Sequence, residues 1–213
     1  MNRPELIPFA EKFTRPLAAV EADLEIYAGL LVKWQAAHNL VSRETLGDLW
    51  TRHFLDSLQL LEHIRPEDRL FLDLGSGGGF PALPLAVALK QEGRARFALY
   101  EPVTRKAAFL RTVARELRLD VTVHAARIES RDSRETPDIA TSRALAPLPA
   151  LLGLIQPQVG PQTRLLLHKG REHGEEIRNA ATHWQFDVIQ HKSRVESGSV
   201  ILEITNLWAR SKT

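Results

Sequence analysis

The stretch Leu70-Phe71-Leu72-Asp73-Leu74-Gly75-Ser76-Gly77-Gly78-Gly79-Phe80-Pro81-Ala82 concentrates the residue types that hold nucleotide-like ligands. An apolar run that stops in a glycine-rich turn and resumes as a proline-opened helix is the strand–loop–helix of a nucleotide site. Its glycines allow positive φ without a Cβ penalty and let backbone approach a ligand closely. Pro81 and Pro84 suit a first helical turn, where a missing N–H costs little. The spacing is the sharper signal. Asp73, Gly75, Gly77 and Gly79 form Asp-x-Gly-x-Gly-x-Gly, and Phe80 stands where a dinucleotide fold wants its third glycine. A ligand without a pyrophosphate needs no such opening at the helix end, so the pattern favours S-adenosylmethionine over NAD. The plainer alternative is a glycine-rich turn with no ligand.

Further along, polar residues recur where apolar runs end. Glu101 stands 22 positions after Gly79, where an acid can accept both ribose hydroxyls of a nucleoside cofactor; the ordinary alternative is a solvent-facing glutamate. Ile128 and Glu129 follow the next run, with Ile128 offering an adenine ring an apolar face and a backbone N–H. Ser142-Arg143 and His168-Lys169 close two more runs. Ligands of an open α/β sheet sit beyond the carboxyl ends of its strands, so these residues would share one edge. Asp73 would orient the loop, reach a cofactor amino group through water, or simply cap the turn. Arg143 reads either as a group beside the transferable methyl or as a surface arginine. Upstream, helical spacing puts His53 on a face with Asp56 and Ser57, and Arg52 one turn from Asp56. That is either an Arg52–Asp56 surface pair beside a half-buried histidine, or a helix laid across a cofactor or RNA cleft. None of the eight histidines forms a His-Glu-x-x-His pair, so no metal is expected.

Alternating elements position these residues. Apolar residues at spacings of three and four (Leu17, Val20, Leu24, Tyr27, Leu31, Trp34) mark a first amphipathic helix. Thr45-x-x-Asp48 reads as the capping box of a second helix running to about Ile64. Strands are expected at 70–74, 95–100, 120–124, 138–142 and 163–168, with helices near 81–90, 104–118, 147–157 and 172–183. Such alternation builds a parallel sheet covered on both faces. The segments 186–189 and 200–204, joined through Glu196-Ser197-Gly198-Ser199, read as a closing antiparallel hairpin. The expected fold is therefore α/β, a Rossmann-like class I methyltransferase plan with a terminal hairpin. One domain spans 1–213, as a helical extension over 1–64 and a core over 65–213.

Composition sets limits. The 213 residues carry a net charge of +2, too small to announce nucleic-acid binding, and no cysteine, which rules out disulfides and thiolate chemistry. No apolar run reaches the length of a membrane span, and Met1–Glu5 does not open a signal peptide, so a cytoplasmic protein is expected. Basic residues crowd at Arg105, Lys106, Arg111, Arg115 and Arg118, followed by Arg127, Arg131 and Arg134. They form a solvated helix face or an RNA track.

Taken together, the chain closely resembles the RsmG (GidB) family of bacterial small-subunit rRNA methyltransferases. The matching residues are Asn39-Leu40, Arg52-His53-x-x-Asp56-Ser57-Leu58, the loop from Asp73 to Pro81, Glu101 with Arg105-Lys106 and Phe109-Leu110, Arg127-x-Glu129, Ser142-Arg143-Ala144 and Lys169-Gly170. The resemblance implies a guanine-N7 methyltransferase acting on 16S rRNA with S-adenosylmethionine as cofactor; a monomer is expected. By position it implies cofactor contacts at Gly75, Phe80, Ile128, Glu129 and Arg143. It departs from the family at Ala82, where glycine is usual, and at Pro102, where serine is common. Candidate RNA contacts are Arg52, His53, Arg105, Lys106, Arg111 and Lys169.

Guanine N7 presents an in-plane lone pair, so its methylation needs alignment and charge relief and no general base. Cytosine C5 methylation would need a covalent nucleophile, usually cysteine, which this chain lacks. The competing readings are a NAD-dependent oxidoreductase, opposed by Phe80 and the terminal hairpin, and an RNA binder for ribosome assembly that has lost turnover.

Overall fold

The computed structural model describes residues 3–91, 93–133 and 135–210; Met1, Asn2 and Arg134 lie outside them. Among the described residues seven strands form one sheet: β1 (Leu70–Leu74), β2 (Arg96–Tyr100), β3 (Val121–His124), β4 (Ile139–Arg143), β5 (Arg164–Lys169), β6 (Trp184–Lys192) and β7 (Val200–Ala209). Their order is β3-β2-β1-β4-β5-β7-β6. The first five are parallel, whereas β7 runs antiparallel to β5 and to β6. The parallel strands fall within one residue of their expected positions. The hairpin strands extend well beyond 186–189 and 200–204, because their outer halves mix half-buried and exposed residues with no long apolar run to mark them.

Strand order reverses between β1 and β4, which opens a crevice at their carboxyl ends. The helices are α1 (Leu17–His38), the single turn α2 (Asp56–Leu58), α3 (Ala82–Ala88), α4 (Thr104–Glu116), α5 (Leu148–Ile155) and α6 (His173–Ala180). Pro81 is the N-cap of α3 and Pro84 lies in its first turn, as their fixed φ allows.

One apolar cluster joins the N-terminal helices to a sheet face: Val20, Leu24, Tyr27 and Leu31 of α1 pack with Phe71, Phe97, Leu83 and Phe109. The other face carries a second cluster in which α5 covers Leu72, Leu74, Leu165 and Leu167. Both faces of the central strands are therefore buried, which is why they read as unbroken apolar runs.

The expected second helix is not one helix. Residues 43–63 form a 3₁₀ turn (Arg43–Asp48), a π-helical turn (Trp50–Leu55), α2 and a second 3₁₀ turn (Gln59–His63). Thr45 is not the N-cap. Its hydroxyl donates to the Ser42 carbonyl at 3.0 Å and meets His53 Nε2 at 2.8 Å. The widened π turn carries the chain from one apolar contact to the next with an extra residue per turn, and such turns recur at functional sites. No helix among the described residues is long and apolar enough to cross a membrane.

Candidate methyl-transfer site

The glycine loop takes its shape from both neighbouring strands. Gly75 N–H and Ser76 N–H donate to the Tyr100 carbonyl at the end of β2, at 2.9 and 3.2 Å. Gly77, at φ +55°, has open space where a Cβ would stand, its nearest neighbour being the Gly75 carbonyl at 3.8 Å. Gly79, at φ +96°, has none: a Cβ would lie 2.5 Å from both Leu83 Cδ1 and the Tyr27 hydroxyl. That hydroxyl donates to the Gly78 carbonyl, so α1 holds the loop from outside the sheet.

Two buried acids underpin the loop. Glu101, 4% exposed, accepts from Gly77 N–H on one carboxylate oxygen and from Val103 N–H on the other, each at 2.8 Å. It braces the loop against the start of α4. Asp73 accepts from Thr141 Oγ1 at 2.6 Å, while its Oδ2 and the neighbouring Ser76 Oγ are buried without a partner. Burial raises the Asp73 pKa to about 7, against the Thr141 hydrogen bond and the Arg143 charge, which would lower it. An open glycine cradle above orphaned buried oxygen atoms fits a small ligand carrying polar donors.

The opposite wall centres on Arg143 at the end of β4. Its Nη1 donates to the Arg52 carbonyl at 3.0 Å and to Asp56 Oδ2 at 3.2 Å, and its Nη2 to His53 Nδ1 at 2.5 Å. The guanidinium also lies 5.1 Å from the Phe80 ring. Asp56 thus pairs with Arg143 and not with Arg52, which forms its ion pair with Glu196 at 2.9 Å. His168 Nε2 donates to the Asp56 carbonyl at 2.8 Å. Burial first, then the positive charges of Arg143 and Arg52, lower the His53 pKa to about 3 despite Asp48. Burial likewise lowers that of His168.

These walls enclose a cleft of about 820 Å³. Among the candidate residues, Arg52, His53, Gly75, Gly77, Phe80, Lys106, Arg143 and Lys169 line it. Asp73 and Glu101 lie beneath it, and Gly79 packs away from it. Phe80 is 3% exposed, its ring stacked on Tyr27 with centroids 5.4 Å apart. Ile128 and Glu129 occupy a 3₁₀ turn after β3, outside the lining, with Ile128 in the core and Glu129 exposed. Arg105 is exposed on α4. Arg111 donates to the Val123 carbonyl at 2.8 Å. Lys169 donates to the Ala146 carbonyl at 2.9 Å and to Glu176 at 2.7 Å, which ties β5 to α6.

Several contributors carry no sequence signal. Tyr27 reads only as one member of an apolar stripe. Leu145 covers Gly75 closely enough that a Cβ there would meet its Cδ1 at 2.6 Å. Away from the cleft, His63, His191 and Glu203 bring possible metal-ligand atoms within 4.8 Å of one another, a group formed only by the fold.

Sheet order, glycine loop and terminal hairpin define a class I S-adenosylmethionine-dependent methyltransferase fold. Solved structures agree: a ribosomal protein L11 methylase from Lactobacillus delbrueckii subsp. bulgaricus superposes with TM-score 0.56 at 14% identity, covering 72% of this chain and 78% of its own. A SAM dependent methyltransferase from Aquifex aeolicus does so with TM-score 0.56 at 13% identity, covering 74% and 92%. The family model of GidB, rRNA small subunit methyltransferase G, matches residues 20–205. Ribosomal RNA small subunit methyltransferase G of Bartonella quintana is 46% identical over 87% of this chain and 86% of its own length. Its namesake in Brucella ovis is 44% identical over 88% and 87%. The chain belongs to the rRNA small subunit methyltransferase G family, and it is a methyltransferase.

Proposed function

We propose that this enzyme methylates N7 of a guanine in the 16S RNA of the small ribosomal subunit, in the cytoplasm and as a monomer. The observation that carries the reading is the state of the ionisable groups in the cleft. All three carboxylates lining it are already paired: Asp56 with Arg143, Glu176 with Lys169 and Glu196 with Arg52. The His53 pKa is depressed to about 3, which makes it a poor base at neutral pH. Asp73, raised to about 7, is sealed beneath the loop at 1% exposure, so among the described groups lining the cleft a nucleophile that must first lose a proton finds no base poised for it, whereas guanine N7 needs none.

S-adenosylmethionine supplies an electrophilic methyl group on a sulfonium sulfur. The chain's own residues bind and align. The Gly75–Gly79 loop brings backbone close to the cofactor, and Glu101, which already shapes that loop, accepts from the ribose hydroxyls. Ile128 and Glu129 flank the adenine, Asp73 and Phe80 support the methionine end, and Arg143 aligns donor and guanine. Arg52, Arg105, Lys106 and Arg111 face the RNA, whereas His53, buried with its ring nitrogens on Arg143 and Thr45, supports the wall behind them. Lys169, bound to Glu176, shapes that wall more than it tracks phosphate.

The test is transfer of labelled methyl from S-adenosylmethionine to small-subunit RNA and to assembled subunits, followed by borohydride and aniline treatment, which cuts RNA at 7-methylguanosine. Label with scission at one guanine is expected. Binding of RNA and cofactor without label would instead identify a non-catalytic assembly factor, and label without scission would move the methyl to another atom.

A further inference from the structure

We infer that His53 is a positioning residue for transfer, held as the neutral Nε2–H tautomer so that its Nδ1 lone pair fixes the Arg143 guanidinium. The assignment follows from donor counting. Arginine has N–H donors and no acceptor, so at 2.5 Å from Arg143 Nη2 the His53 Nδ1 must be bare. A neutral ring then carries its proton on Nε2, 2.8 Å from Thr45 Oγ1. The Thr45 hydroxyl proton goes to the Ser42 carbonyl at 3.0 Å, which leaves Oγ1 free to accept from Nε2–H. The opposite polarity would leave the ring without a proton. The bonds therefore run one way, from Arg143 through His53 and Thr45 to the Ser42 carbonyl.

Burial first holds the ring neutral. Arg143 from β4 and Arg52 from the π turn also oppose its protonation, and Asp48 from the preceding 3₁₀ turn favours it less. Asp56 is committed to Arg143. Both Nη1 protons of Arg143 are taken by Asp56 and the Arg52 carbonyl, and one Nη2 proton by His53. The Nε–H has no partner among the described residues, so it and one Nη2–H are the donors left for a carboxylate or a base edge. His53 and Asp56 thus select which donors of the guanidinium are offered to the ligand. The π turn brings both onto Arg143.

Only the kinetic arm of the test rests on the methyl-transfer reading. His53→Asn places an amide oxygen near Nδ1 and keeps the acceptor for Arg143; His53→Gln places its amide near Nε2 and keeps only the Thr45 contact; His53→Leu keeps neither. Single-turnover transfer should fall less than about 5-fold for Asn and more than about 30-fold for Gln and Leu, with Tm of Asn and Gln matched. The His53 ring nitrogens, read by ¹⁵N NMR in the wild-type protein, should show the Nε2–H tautomer with no titration between about pH 8 and pH 5, where an unperturbed histidine titrates. Parental rates in the Gln variant, an Asn variant as slow as Gln at matched Tm, an Nδ1–H ring or titration near the ordinary value would each overturn the inference. If the wild type transfers no methyl group, the functional proposal fails while the NMR arm still decides the state of His53.

Discussion

Glu101→Ala removes a carboxylate that braces the loop from below and is assigned the ribose. Its two oxygens accept Gly77 N–H and Val103 N–H at 2.8 Å each. Val103 caps the start of α4, whereas Gly77 sits in the cleft wall and depends on Glu101 for its shape. Counting only one ribose contact, a hydrogen bond to a charged group contributes about 1.5–3 kcal/mol, and the loosened Gly77 turn adds to that. Binding of S-adenosylmethionine should weaken by at least roughly 10–150-fold, the factor that energy represents. Glu101→Gln should fall nearly as far, because an amide can accept from only one of the two N–H groups and turns its own donor on the other. Calorimetric titration of folded variants, with Tm measured in parallel, is the assay. Unchanged affinity in a folded alanine variant would refute the ribose role, and full affinity in the glutamine variant would refute the argument from charge.

Gly77→Val should fold, with a backbone strain of about 1–2 kcal/mol at φ +55°, yet lose the cofactor because its side chain fills the open cradle; Gly79→Ala should instead lose stability against Leu83 and Tyr27. Thermal melts with cofactor titration separate the two, and normal cofactor binding by the valine variant would misplace the loop. Asp73, raised to about 7 when folded, holds a proton that the unfolded chain has released, so its contribution to stability is full below about pH 4 and lost as pH rises through 7. Asp73→Asn should flatten that decline in urea unfolding at pH 5 and pH 8; an unchanged slope would assign it elsewhere. Replacing Arg105 and Lys106 by alanine should reduce the salt dependence of RNA binding by up to about 0.7–0.9 log–log units per lost contact. Lys169→Met should leave that slope alone and destabilise by about 3 kcal/mol, as the buried end of an ion pair with Glu176. The reverse pattern in a filter-binding salt series would exchange their roles.

The parallel strands were legible because burial on both faces leaves apolar runs that stop at Asp73–Gly75, Glu101 and Arg143, and those stops are where the cleft lies. Residues 43–63 were not. An amphipathic period and Thr45-x-x-Asp48 point to one capped helix, whereas the chain there changes turn type three times, and local pattern holds no record of a π turn stabilised by tertiary contacts. Partner choice was illegible for the same reason. Asp56 is one turn from Arg52 in sequence but pairs with Arg143, 87 positions away. Lys169 at a strand end looks like a free cation until α6 brings Glu176 to it. Tyr27 shows its apolar ring in the helical period, while its hydroxyl bond to Gly78 spans 51 positions.

The identity of the methyl acceptor is decided by transfer to small-subunit RNA in which 7-deazaguanosine replaces the target guanosine. The substitution exchanges N7 for C–H and leaves the Watson–Crick edge and the backbone phosphates intact. Binding close to that of unmodified RNA with no transferred methyl group is expected. Continued transfer to the 7-deaza substrate would contradict N7 as the acceptor and place the reaction on another atom.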